Sequence, residues 1–196
     1  MVRPVVLLLL TIATAGATEA FVHAHLMPVA GAPVPDAVVL VDEGTITAVG
    51  SFGEVEIPSD AVVHDLTDKV LIPGLVDLHS HIGGGRLHER LSAVQPGVSA
   101  VDAIDPTHPS IQRAQAGGIT TANVMPGSGK LMGGQTALLA LRDASEVDDM
   151  LLCGEPVGDG PLRRTAICGG VKMATGTNPQ GGNGDPASRM GAAFLQ

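Results

Sequence analysis

Past the leader, the first third of the chain is built from short β-branched runs. "AVVLVDEGTITAVG" (37–50) sets two of them around Asp42-Glu43-Gly44. This predicts an antiparallel hairpin with a three-residue connection and Gly44 in the left-handed conformation. "AVVHDLTDKVLIP" (61–73) continues the extended pattern, so residues 21–72 read as a small sheet or part of a β-sandwich. From Pro73 onward strand-like apolar runs alternate with helical stretches, the rhythm of a parallel sheet or barrel. "PSIQRAQAGG" puts Pro109 in the first turn of a helix and Gly117 at its C-cap, directly before the strand-like "ITTANV" (119–124). "DPASRMGAAFLQ" predicts a second helix with Asp185 as N-cap, Pro186 at its first position, and Met190 and Phe194 on one face. No internal repeat supports a solenoid.

The leader, "MVRPVVLLLLTIATAGATEA", has one basic residue, an apolar run from Pro4 to Ala13, and small residues suited to cleavage after Ala17 or Ala20. That run is too short for a bilayer, which needs about 20 apolar residues. Three segments are therefore expected: a signal peptide over 1–20, a partial β-sandwich over 21–72, and a second unit over 73–196. The mature protein is expected to be secreted or periplasmic and free of the membrane.

Composition narrows the partners. With 196 residues and 44% hydrophobic content the chain can bury a core. A net charge of -9 and only 11 scattered basic residues argue against nucleic acid and anionic membrane surfaces. Trp and Tyr are absent and Phe occurs three times, so no aromatic platform for bases or proline-rich peptides exists. A small-molecule substrate is the partner left. Cys153 and Cys168 could form a bridge stabilising the fold by about 3 kcal/mol in an oxidising compartment, or remain two buried thiols. Two cysteines cannot make a four-thiolate zinc site.

The candidate chemistry sits in "LIPGLVDLHSHIGGG" (71–85). Strand side chains alternate, so Asp77, His79 and His81 share one face and both imidazoles are offered to a cation from a rigid element. Asp77 could orient one ring or simply line the site. Gly83, Gly84 and Gly85 let the chain turn away and a substrate approach the backbone. His23-Ala24-His25 has the same spacing without the preceding acid or the glycines, and reads as an exposed strand start. His64, His88 and His108 are solitary and read as surface or loop residues.

"PGLVDLHSH" (73–81) resembles the metal-binding strand that opens the barrel of the amidohydrolase superfamily. "VVLVDEGTITAVG" resembles the β-sandwich lead-in of that superfamily, and "AGGITTANVMPGSG" (116–129) its second barrel strand. "GGVKMATGTNP" (169–179) and "PASRMG" (186–191) are similar to segments of its secreted, imidazolonepropionase-like branch. The resemblance implies an α/β fold: a (β/α)8 TIM-type barrel, incomplete here, preceded by part of a small β-sandwich. It implies that His79 and His81 bind one or two divalent metal ions, zinc foremost, for hydrolysis of carbon–nitrogen bonds in cyclic amides or related small molecules. It also implies a carboxylated, metal-bridging lysine, for which Lys172 is the candidate; the other reading of Lys172 is a rim lysine or a substrate contact.

The chain departs from that pattern in length. Such barrels need roughly 250 residues, and the stretch after residue 72 is about half of that. The two further histidines and the aspartate general base of the superfamily have no counterpart, and no histidine follows His108. The chain is therefore expected to be an amino-terminal fragment with no catalytic base of its own, inactive alone. Its open strand edges would favour self-association, so a homo-oligomer is allowed.

Other chemistries fit less well. "PGSGK" (126–130) resembles a phosphate-binding loop, but Val124 and Leu131 stand where that motif needs glycine and Ser or Thr. Lys130 then reads as solvated or substrate-facing. No G-x-S-x-G elbow occurs. The remaining alternative is a secreted non-catalytic metal-binding or structural module.

Overall fold

The computed structural model describes residues 17–84, 92–152 and 168–180. The chain divides between Pro73 and Gly74 into two compact units. Among the described residues no helix is long and apolar enough to cross a membrane.

The first unit is one five-stranded sheet. β1 (Glu19–Leu26), β2 (Val34–Asp42), β3 (Thr45–Ser51) and β4 (Val62–Asp65) lie in the order β3-β2-β1-β4, with β5 (Val70–Leu71) also beside β1. β1 runs antiparallel to β2 and parallel to β4 and β5. A register shift falls at His23, whose φ is 63°. The bulge moves the inward alternation to the other side of the sheet. Ala20 and Val22 thus pack with Val38 and Leu40, whereas Leu26 packs with Ala37 and Val39.

The β2–β3 hairpin differs from expectation in its turn. Asp42 pairs with Thr45, so the loop is two residues long, and Glu43 (φ 46°) and Gly44 (φ 76°) are both left-handed. Positive φ at both central positions is the type I′ geometry, whose backbone twist matches that of the strands where a type I or II turn would splay them. The run at 61–73 breaks into two strands because Asp65 Oδ1 accepts hydrogen bonds from Thr67 N (2.9 Å) and Oγ1 (2.6 Å), closing a tight turn.

The second unit holds β6 (Leu75–Ser80), α1 (Pro109–Ala116) and β7 (Ile119–Val124), then β8 (Met132–Gln135), β9 (Ala137–Ala140) and β10 (Val171–Met173). β6 and β7 pair in parallel, with α1 in the connection between them. That is the one β-then-α crossover among the described residues. β7 pairs antiparallel with β9, and β8 antiparallel with β10. The described part is therefore mixed α/β and rich in antiparallel strands, and of the rhythm expected from Pro73 onward the described residues contain one cycle. Physically, the Thr136 connection is too short for a helical crossover, which needs a dozen residues or more.

α1 begins and ends as its residues dictate. Pro109 occupies the first helical position, His108 is the N-cap, and Gly117 closes the last turn by donating to Arg113 and Ala114 carbonyls. The left-handed residue is the next one, Gly118 (φ 83°). Ile111 of α1 packs with Val101, Ile104, Val124, Leu139 and Met150 in the core of this unit. The helix expected from Asp185 lies outside the described residues.

Glu43 is a non-glycine residue in a left-handed turn position, where asparagine is better tolerated. Glu43→Asn is expected to raise the stability of the first unit by about 0.5–1 kcal/mol, read as an increased urea midpoint with unchanged slope.

Candidate metal centre

His79 lies near the end of β6 and His81 just beyond it. Parallel pairing aligns Ser80 with Val124, so both chains leave their strands at the same end. Met125 N donates to Ser80 O (3.0 Å), and His81 Nδ1 donates to Met125 O (2.8 Å). A carbonyl only accepts, so this bond puts the proton on Nδ1 and leaves the Nε2 lone pair of neutral His81 available. The His79 and His81 ring centroids are 5.2 Å apart, with planes inclined at 77°. The two imidazoles are side by side, as the alternation argument required.

Lys172 arrives from a distant part of the sequence. It sits in the middle of β10, opposite Gly134 of β8. Its stem crosses Gly133, where a Cβ would stand 3.7 Å from Lys172 Cγ. Its Nζ lies 3.4 Å from His79 Nε2 and 3.6 Å from Met125 Sδ. The three residues singled out in the sequence are thus gathered into one cluster. β10 is held there by Thr136 N donating to Gly170 O (2.8 Å), Gly170 N donating to Thr136 Oγ1 (2.7 Å), and Ala174 N donating to Leu131 O (2.9 Å). Cys168, just upstream, is disulfide-bonded. The other cysteine of the chain, Cys153, lies outside the described residues.

Other expectations resolve differently. Asp77 touches neither ring, and its Oδ1 accepts from the His79 backbone N (3.0 Å). It shapes the strand end rather than an imidazole. His108 is half-buried in a structural role: its Nδ1 accepts from Ser110 N (3.2 Å) and lies 2.8 Å from Ser110 Oγ. Lys130 is buried, not solvated. His23 pairs with Asp36 (3.0 Å) and packs against Phe52, so it is a sheet contact.

The glycine segment docks on the start of α1. Gly83 (φ 96°) donates to Ser110 Oγ (3.0 Å) and accepts from Asp105 N (2.9 Å). Gly84 (φ 75°) lies so close to the His108 ring that a Cβ there would collide with it. Missed in the sequence were Met125, which meets both His81 and Lys172, and Asn123, whose buried Oδ1 has no hydrogen-bond partner among the described residues. Met125 carried no signal beyond following the predicted strand.

Whether these groups suit a metal can be judged from their lone pairs. His81 Nδ1 is occupied by a carbonyl, the usual arrangement behind a ligating Nε2. His79 Nε2 faces an ammonium donor, so its lone pair also points into the cluster. Both imidazoles are exposed, and they would suit a divalent cation once the Lys172 ammonium leaves His79 Nε2. No group of three or more His, Cys, Asp or Glu side chains able to hold a metal occurs among the described residues.

No protein-family model matches the chain. It is 29% identical over 170 residues to amidohydrolase tasK of Hapsidospora irregularis, covering 80% of this chain and 17% of that protein. It is similar to the crystal structure of an amidohydrolase from Thermotoga maritima MSB8, with 34% identity and a TM-score of 0.73 over 90% of this chain and 45% of that one. The chain belongs to the amidohydrolase superfamily. It spans less than half the length of either relative.

In this amidohydrolase chain the loop that precedes α1 carries an acid-sensitive turn. Asp105 Oδ1 accepts from Thr107 Oγ1 (2.7 Å) and Thr107 N (2.9 Å), and these bonds hold its carboxyl below the ordinary value of 3.8. A lowered folded value contributes stability above the unfolded one and loses it as pH falls through the folded one. Asp105→Asn is therefore expected to flatten the fall in melting temperature below about pH 4, measured by circular dichroism.

Proposed function

We propose that the chain is part of a metal-dependent hydrolase of carbon–nitrogen bonds, acting on cyclic amides or related small molecules, of the imidazolonepropionase-like branch. The carrying observation is the pair of imidazoles with ring centroids 5.2 Å apart, His81 with its Nε2 lone pair left for a cation and His79 with its Nε2 turned to Lys172 Nζ. The amidohydrolase names of its relatives support the reaction class.

In this reading His79 and His81 hold the cation through Nε2, and Lys172 contributes the third group. A bound divalent ion, zinc foremost, would supply Lewis-acid polarisation and water activation near neutral pH. His79 Nε2 cannot ligate and accept from Lys172 at once. Lys172 must therefore give up its ammonium charge, as carboxylation would achieve: the ammonium loses one proton to become an amine, and the amine loses a second as its nitrogen bonds the carbon of carbon dioxide. The Met125 carbonyl keeps the His81 ring oriented throughout. The exposure of both rings favours an open catalytic site over the closed shell of a structural module.

Zinc titration of the full chain is expected to show saturable binding that weakens at least about tenfold in His79→Ala and in His81→Ala, and is unchanged in His23→Ala. Equal affinity in the His79→Ala, His81→Ala double variant would remove the reading.

Export is the second part of the proposal. β1 starts at Glu19, and Ala20 is fully buried opposite Leu40 and Val63. Cleavage after Ala20 would strip two paired residues from the sheet, whereas cleavage after Ala17 leaves it whole. Intact-mass analysis of protein recovered from the periplasm or medium is expected to give Thr18 as the first residue. Retention of the leader in the cytoplasm would contradict export.

A further inference from the structure

Met125 bonds in three directions at the strand ends, and the sequence reading assigned it no role. Its N donates to Ser80 O (3.0 Å), its carbonyl accepts from His81 Nδ1 (2.8 Å), and its Sδ receives Lys172 Nζ (3.6 Å). It is 8% exposed, between buried Val124 and Pro126. We infer that Met125 is the positioning residue of the site, its carbonyl fixing the His81 ring and its thioether holding Lys172 Nζ beside His79. The inference rests on the metal-centre reading for its purpose, but the clamp can be observed without metal.

The chemistry suits a thioether. Sulfur is a weak acceptor, so it can orient an amine without competing strongly for its proton. Of the groups placed within reach of Nζ, His79 Nε2 faces the candidate ligand position and Sδ does not belong to the ligand set. Holding Nζ on sulfur therefore restrains the long lysine stem while leaving the imidazole to be released. Gly133 beneath the stem offers no side chain to pack it, and the thioether supplies restraint at its tip.

Lysine reactivity tests this. Reductive methylation of the metal-free full chain, read by mass spectrometry, is expected to modify Lys172 more slowly than exposed Lys69. Met125→Leu keeps the shape and loses the acceptor, and should raise the Lys172 rate about fivefold, while Met125→Gln restores an acceptor and should return it towards wild type. Melting temperatures of the two variants, measured alongside, separate a general effect on folding from loss of the acceptor, so the ratio of their rates under conditions where both are folded is the readout. Nitrogen NMR should find His81 protonated at Nδ1 in wild type and in both variants, since that bond is to the backbone. Equal rates in Leu and Gln variants, or Lys172 reacting as fast as Lys69 in wild type, would overturn the clamp. Loss of the zinc difference between wild type and the histidine variants would overturn the metal reading and leave the clamp standing.

Discussion

The parallel pairing of β6 with β7 is the constraint on which the site depends. It makes the two strands end together, so the chain leaving one can bond the chain leaving the other. Had β7 run the opposite way, Met125 would lie at the far end and His81 would have no carbonyl to fix its ring. The pairing is in turn secured by the connection: α1 buries Ile111 against Val124, and Gly118 gives its carbonyl to Leu75 N at the start of β6. One helix, one tight cap and one pair of strands thereby orient the two histidines.

The third group is positioned by a different device. β10 has three residues and would be a poor anchor by itself. Its neighbours compensate with backbone bonds from Thr136 and Leu138 to Gly170 and Cys168. Glycines at 133, 134 and 169 allow these approaches, and at 134 the φ of 122° and the nearby Val98 carbonyl admit no side chain. Close approach of bare backbone is how a residue 93 positions from His79 reaches its ring.

Strand period and end signals made several features legible in the sequence. The hairpin strands, the helix from Pro109 and the strand at 119–124 all follow from residue types within a few positions of each other. His79 and His81 were readable for the same reason, being neighbours on one strand. Lys172 was placed through resemblance to the superfamily, because no local pattern says where a lone lysine will dock. Met125 and His108 escaped because their roles come from a backbone carbonyl and a capping nitrogen. The antiparallel course of β8, β9 and β10 was likewise hidden, since apolar runs look alike whichever way they pair.

The distribution of aromatic rings has an optical consequence. Phe21 stacks on His64 and Phe52 tilts against His23, both in the first unit, and Phe194 lies outside the described residues. With neither tryptophan nor tyrosine in the chain, near-ultraviolet dichroism from those two rings reports on the five-stranded sheet. The second unit contributes through the Cys168 disulfide, whose band is broader and lies at different wavelengths. Two of the three phenylalanines thus sit in the sheet of the first unit, and a Phe194→Leu variant would leave the phenylalanine bands to that sheet alone.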